Sequence, residues 1–420
     1  MGPSPADRHV QRLLQPAPPT RRTPARLRRV PRHRAPAAPG PPFLRRPGDG
    51  DRVTGRTGQA VVLERFGTPP VLREFPVPPA PAGGMVLDRL HGGICGTDLH
   101  LQQGHLPIPT PLVLGHEGYG TVLELGPDGG RDALGEQLAV GDEVMWASSI
   151  ACGQCPPCRL HREPTLCQNR RTYGVNRAIT RDVALAGSWA DHIVLQPGTT
   201  VVRAAPGVSA TAAMALACAG PTVVHALYER RPVRLGETVV VQGSGPVGLA
   251  AAAFAQLAGA ARVIVVGGPE RRLATAAAAG IGDVHLNIVD AADPEAVLRE
   301  ARAAAGPDGA DLVIECAGVP DAVPQGLTLA RRGGSYLVIG QYTDAGDTRL
   351  NPHQIVYRQL DVIGSWAFSG AHLVEYVRLL PALAARFDLE SMVTVYPLQN
   401  HDDALADVAA GAVLKAVLSG

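Results

Sequence analysis

Seven cysteines occur in 420 residues, and four of them, Cys152, Cys155, Cys158 and Cys167, fall in the single stretch ACGQCPPCRLHREPTLCQ. Two residues separate each neighbouring pair among the first three, close enough for the backbone to fold round one ion, and Cys167 can close a tetrahedron. Four thiolates suit zinc, which takes sulfur at about 2.3 Å and has no redox chemistry of its own. A filled four-sulfur shell has no place for substrate, so this group is expected to staple a loop. Redox thiols are the competing reading of CxxC spacing. The chemistry is then expected elsewhere.

A second set of candidates is spread along the chain. GICGTDLH offers Cys95, Thr97, Asp98 and His100; LGHEGYG offers His116 and Glu117; ACAGPTVVHAL offers Cys218. Two sulfurs and one imidazole hold zinc with a fourth position open, the arrangement of catalytic sites. Singly each residue is ambiguous, since a cysteine in an alanine-rich segment packs well in a core and a glycine-flanked histidine can simply fill a turn.

These residues need elements to position them. From about Gly58, short strand-like runs such as QAVVLERFG and GMVLDRLHGGICGTDLH alternate with Pro/Gly turns, and this half reads as β-rich. From about Pro221 the texture becomes strand, glycine turn and alanine-rich helix, repeated, which implies right-handed βαβ crossovers and a parallel sheet. VVVQGSGPVGLA places Gly243, Gly245 and Gly248, with Pro246 and Val247 between the last two, directly after an apolar strand and into a helix. The first glycine permits the tight turn, the second lets backbone approach a pyrophosphate, and the third lets helix pack on strand. With a second strand, RVIVVG, following, the motif has the context of a dinucleotide site.

The end of that second strand does not settle NAD against NADP. The position where an acid would bind the ribose 2′-hydroxyl holds Gly267, followed by Gly268, Pro269, Glu270, Arg271 and Arg272. Glu270 favours NAD, Arg271 or Arg272 favours NADP, and a solvated first helical turn explains all three equally well.

Composition bounds the rest. At 420 residues two domains are expected, and 45% hydrophobic residues with 48 glycines fit a soluble α/β protein. No run of eighteen apolar residues exists to suggest a membrane span. The odd cysteine count and the lack of an apolar segment after the basic N-terminus argue against a secreted disulfide scaffold and for a reducing cytoplasm. The net charge of +1 hides an asymmetry: residues 1–50 carry eleven arginines against Asp7 and Asp49, leaving 28 basic and 36 acidic side chains, or −8, for the remainder. That Pro/Arg-rich opening is expected to be disordered, and although such a tail could bind nucleic acid, an incidental extension is the preferred reading.

Taken together, the four-cysteine lobe, GICGTDLH, GHEGYG, Cys218 and the glycine turn resemble the zinc-dependent medium-chain alcohol dehydrogenase family. The likeness covers about Gly58 to the C-terminus, with Cys218 twenty-five residues before Gly243 as the family's third ligand precedes its glycine turn. The spacing before Cys167 is one residue longer than the commonest family form. The resemblance implies an α/β fold in which a Rossmann doubly wound parallel sheet is inserted in a GroES-like β-rich catalytic domain. The expected boundaries are 1–57 for the extension, 58–219 for the catalytic domain, 220–362 for the Rossmann domain and 363–420 for the return to the catalytic domain.

It also implies two zinc ions per chain, a catalytic one on Cys95, His116 and Cys218 and a structural one on Cys152, Cys155, Cys158 and Cys167, with NAD or NADP as coenzyme. Thr97 and His100 would pass on the proton of the alcohol, while Asp98 and Glu117 orient His116 and tune the metal. Gly243, Gly245, Pro246, Val247, Gly248, Gly267 and Arg272 would meet the dinucleotide. A homo-oligomer, dimer or tetramer, is expected, acting on a small alcohol or aldehyde with no nucleic-acid or membrane partner. Within the family the texture is nearest the polyol, cyclitol and phosphonate-associated enzymes. Rival readings are a zinc enzyme of this fold with non-hydride chemistry and a non-enzymatic nucleotide-binding protein.

Other residues invite bland readings. Cys316 in DLVIECAG reads as a small core hydrophobe on a buried strand, His192 as a strand residue, and Lys415, the one lysine of the chain, as exposed. Trp366 and Phe368 are open between lining a pocket and ordinary packing.

Overall fold

The computed structural model describes residues 55–180 and 183–420. The Pro/Arg-rich opening expected to be disordered lies outside the described residues. The β-rich part is built round one long strand, Met85–Ile94, whose alternate residues reach two separate apolar clusters. It pairs antiparallel with Gly118–Leu125 on one side and with Lys415–Ser419, the last strand of the chain, on the other. These strands belong to a seven-stranded sheet, beside which Thr57–Leu63 forms a three-stranded sheet with Val71–Pro76 and Leu112–Val113. Because Ala416 lies opposite Ile94, the C-terminal strand sets Lys415 beside the residue that follows, Cys95.

The second part is a six-stranded, wholly parallel sheet in the order Val284–Asn287, Arg262–Gly267, Thr238–Gln242, Ala310–Glu315, Ala330–Val338, Asp361–Gly364. Numbered along the chain this is 3-2-1-4-5-6, the dinucleotide-binding order, with the ligand crevice at the carboxyl ends where the order reverses. The sheet runs to Gly364, two residues beyond the expected boundary. Its central strands are buried on both faces, which is why TVVVQ and RVIVVG are continuous apolar runs rather than alternating ones. The helix Pro246–Leu257 has almost no polar face because it packs on the sheet and also against the helices Ala219–Val224 and Gly370–Arg386.

Among the described residues no helix is long and apolar enough to cross a membrane. Gly370–Arg386 leads the chain out of the parallel sheet, and Val393–Pro397 with Lys415–Ser419 returns it to the β-rich sheet. The catalytic candidates therefore converge from segments far apart in the sequence.

Candidate active site and metal centres

Cys95 follows Ile94 at the end of the long strand and caps the helix Gly96–Gln103. Its sulfur accepts the Thr97 N–H at 3.3 Å, while its own N–H donates to Asp98 Oδ2 at 2.9 Å, a reciprocal capping box with cysteine in the place of serine. This fixes the Cys95 side chain and buries Asp98 beneath it. His116 and Glu117 arrive on the turn before Gly118–Leu125, and Cys218 precedes the helix Ala219–Val224. Glu117 fits because position 93 is glycine: a Cβ there would collide with its carboxylate.

The donor atoms of Cys95, His116, Glu117 and Cys218 all lie within 4.8 Å of one another. Cys95 Sγ is 3.1 Å from His116 Nε2; in a zinc tetrahedron with ordinary bond lengths that edge is about 3.6 Å. Asp98 Oδ1 lies 3.4 Å from His116 Nδ1, which turns Nε2 into the cluster, and among the described residues Glu117 Oε1, 3.9 Å from that Nε2, has no hydrogen-bond partner. A buried carboxylate oxygen left unmatched beside two thiols and an imidazole is what a cation would satisfy. The residues present fit zinc.

Electrostatics agree with that reading. Hydrogen bonding from Cys218 is the main cause that holds the Cys95 thiol well below its ordinary value, against burial and with help from His116. Cys218 is pushed up correspondingly, first by Cys95 and then by burial. Burial disfavours the His116 cation, but the Cys95 and Asp98 charges outweigh it and raise His116 well above 6.5. Cys218 and His116 thus hold their protons more tightly and Cys95 less so, and a bound cation would take the place of the protons held.

Lys415 corrects the sequence reading. It is 2% exposed, not a surface residue, and its ammonium donates to Glu117 Oε2 and to the Ile94 carbonyl at 3.2 Å. Burial lowers its affinity for a proton, but Glu117 more than restores it; burial also pushes the Glu117 carboxyl up, against the pull of Lys415, so the two groups are tightly coupled. Cys316 packs against the core as the sequence suggests, but it lies one residue past the strand Ala310–Glu315, is half-buried and also lines the cleft.

A cavity of about 230 Å³ opens from this cluster. Thr97 and His100 stand on its catalytic wall, and Pro246, Val247, Ile339 and Gly340 form the wall toward the parallel sheet. Trp366 and Phe368 both line it, with Trp366 stacked on Tyr342 at 4.7 Å and Phe368 also buried in the core. Sequence reasoning missed Arg170 and Thr172, just downstream of the cysteine lobe, and Ser148, just upstream of it, which complete the cavity. For Arg170 and Thr172 their adjacency to Cys167 in LCQNRRTYG was the available signal. It also missed His105, whose Nδ1 lies 3.1 Å from His100 Nδ1 because Gly104, at φ 78, folds the chain back over the helix end.

At the dinucleotide turn the three glycines differ. Gly243 has φ 113, where a side chain is strained; a Cβ at Gly248 would strike the Gly243 carbonyl; at Gly245 nothing lies within 4 Å. The strand end at Gly267 packs on Ser244, whose hydroxyl bonds the Gly268 N–H and carbonyl. Glu270 accepts from Asn287, Arg271 donates to the Ala410 carbonyl, and Arg272 packs against Gly411.

The lobe brings Cys152, Cys155, Cys158 and Cys167 to within 4.8 Å. Two sulfur pairs, Cys155–Cys158 at 3.5 Å and Cys155–Cys167 at 3.9 Å, bracket the edge of about 3.8 Å expected for a zinc–sulfur tetrahedron. The longer spacing before Cys167 is taken up by left-handed Arg162, at φ 58, and the short turn Pro164–Leu166. A third group, His225, Glu229 and His372, is equally close but is not a ligand set. His372 Nδ1 accepts the Ser369 N–H at 2.9 Å, so its proton sits on Nε2 and is donated to Glu229. His225 instead bonds the Ala367 carbonyl at 2.9 Å and secures the cavity wall.

Residues 82–206 match the family model described as an alcohol dehydrogenase GroES-like domain, and residues 246–383 match that of a zinc-binding dehydrogenase. The chain is 32% identical over 342 residues to 5-exo-hydroxycamphor dehydrogenase of Pseudomonas putida, spanning 81% of this chain and 92% of that protein. The crystal structure of an alcohol dehydrogenase from Thermotoga maritima superposes with a TM-score of 0.81 at 33% identity, covering 87% of this chain and all of that one. A zinc-binding dehydrogenase structure from Sinorhizobium meliloti, bound to NADP, gives 0.74 at 27% identity over 87% of this chain and all of its own. A GroES-like part, a Rossmann parallel sheet, two cysteine-rich donor sets and these likenesses have one reading: the chain belongs to the zinc-dependent medium-chain alcohol dehydrogenase family, an oxidoreductase using zinc and NAD(P).

Proposed function

We propose that this chain interconverts an alcohol of the polyol, cyclitol or phosphonate class with its aldehyde or ketone, and that it carries two zinc ions with separate tasks. The observation that supports this best is the convergence of Cys95, His116 and Cys218 at the floor of a cavity whose other wall is the dinucleotide turn. A bound zinc supplies Lewis acidity at the alcohol oxygen, and a bound nicotinamide accepts the hydride.

The chain's own residues do the rest. Cys95, His116 and Cys218 hold the ion, and Asp98 orients His116 through Nδ1. Lys415 holds Glu117 in place beside the cluster by an ammonium–carboxylate hydrogen bond, which opposes the burial that pushes the carboxyl up. Thr97 takes the substrate proton and His100 carries it outward. Burial, and then the neighbouring His105, hold His100 below its ordinary value, so its ring is neutral and ready to accept. Gly243, Gly245 and Gly248, with Pro246 and Val247, seat the coenzyme pyrophosphate at the start of the helix Pro246–Leu257. The four-cysteine set carries the second ion and braces the loop that delivers Arg170 and Thr172 to the cavity.

The test is a panel of polyols, cyclitols and phosphonate aldehydes with NAD and NADP, followed by nicotinamide absorbance on zinc-loaded protein. Turnover of one class with one coenzyme is expected. No absorbance change with any alcohol or aldehyde would remove the hydride-transfer reading.

A further inference from the structure

Two side chains with a full positive charge, Lys415 and Arg170, border the cavity. Lys415 is paired with Glu117. Arg170 is different: among the described residues no carboxylate lies within the 4.0 Å of an ion pair, and its guanidinium makes one hydrogen bond, from Nη1 to the Thr165 carbonyl at 3.3 Å. A guanidinium has five N–H donors in a planar fork, so most of that capacity is left for a ligand.

Its surroundings suit an oxyanion. Ser148, Ser149 and Thr172 line the cavity alongside it, and the Ser149 and Thr172 hydroxyls lie 3.0 Å apart. Among the described residues no acidic side chain other than the engaged Glu117 borders the cavity. Arg170 is half-buried, so its field acts across a medium less polar than water. The dinucleotide's own phosphates belong at the other wall, where Gly245 and Pro246 open the helix Pro246–Leu257.

We propose that Arg170 binds an anionic group on the substrate, a carboxylate or a phosphonate, and selects alcohols and aldehydes that carry one. This rests on the dehydrogenase reading and narrows it, placing neutral polyols and cyclitols behind anionic substrates. Arg170 anchors the far end of the substrate while the oxygen to be oxidised or reduced faces Thr97 and the cysteine–histidine cluster.

Two matched pairs test it on zinc-loaded protein: succinic semialdehyde against its methyl ester, and phosphonoacetaldehyde against its dimethyl ester. The ratio of kcat/KM, anion over ester, is measured in the wild type, Arg170→Gln and Arg170→Lys. A charge-assisted hydrogen bond corresponds to roughly 10- to 100-fold in affinity, so that ratio is expected to fall by about this factor in Arg170→Gln for at least one pair and to recover partly in Arg170→Lys. The pair that responds tells carboxylate from phosphonate. A ratio unmoved in both pairs overturns the proposal, as does a loss confined to coenzyme affinity, which would assign the guanidinium to the coenzyme's phosphates. Calorimetric binding of succinate and methylphosphonate, with oxidised coenzyme present, gives a readout free of turnover. If no aldehyde is reduced, the dehydrogenase reading fails, yet anion binding weakened in Arg170→Gln still supports the site. Equal anion binding by wild type and variant, with zinc content unchanged, rejects it.

Discussion

His100 and His105 share one helix end, and their Nδ1 atoms, 3.1 Å apart, cannot both carry a proton comfortably. Burial first, and the His105 charge second, lower His100 below 6.5. A proton acceptor must be neutral, so alcohol oxidation should fall only as pH drops through that lowered value. Removing His105 removes the second cause, and the acid limb of kcat/KM in His105→Ala should move to higher pH. An acid limb that stays in place would show that His105 does not act on His100. At this scale the sequence was informative about ligands and poor about charge. Cys95, His116 and Cys218 stood out by residue type and motif, but Lys415 looked like a solvated lysine. Its partner Ile94 is 321 positions away, and nothing local records that strand pairing.

The elements carry a sharper distinction within one motif. Gly245 has extended backbone, at φ −77 and ψ 177, with open space where a Cβ would stand, so Gly245→Ala should fold almost as stably as the wild type. Its use is to let a pyrophosphate approach, and coenzyme binding should weaken tenfold or more. Gly248→Ala meets the Gly243 carbonyl instead, and backbone cannot swing aside as a side chain can. A gain of up to about 1 kcal/mol in helix propensity is outweighed by an overpacking cost of about 1–3 kcal/mol. Urea unfolding and coenzyme titration separate the two variants; equal stability loss in both would contradict these roles. Strand, glycine turn and helix were readable here because all three are local. The ends of elements were less readable: Cys316, one residue beyond its strand, packs on the core and also lines the cavity, and Arg170, just past the cysteine lobe, forms part of the cavity wall.

For the molecule as a whole, the order β-rich, then α/β, then mixed could be read from texture, and the α/β part forms the parallel sheet that its texture implied. What texture could not give was the union of the chain's last strand with Met85–Ile94, or the cavity between catalytic cluster and dinucleotide turn, since both depend on contacts across hundreds of residues. The division of labour between two donor sets is the central claim. Zinc counted per chain by mass spectrometry or atomic absorption, alongside turnover and melting temperature, tests it most directly. Wild type should hold two ions; Cys95→Ser should hold one, keep its fold and lose turnover; Cys155→Ser should hold one and melt earlier, because its loop loses its staple. Two ions and full turnover retained in Cys95→Ser would contradict the account.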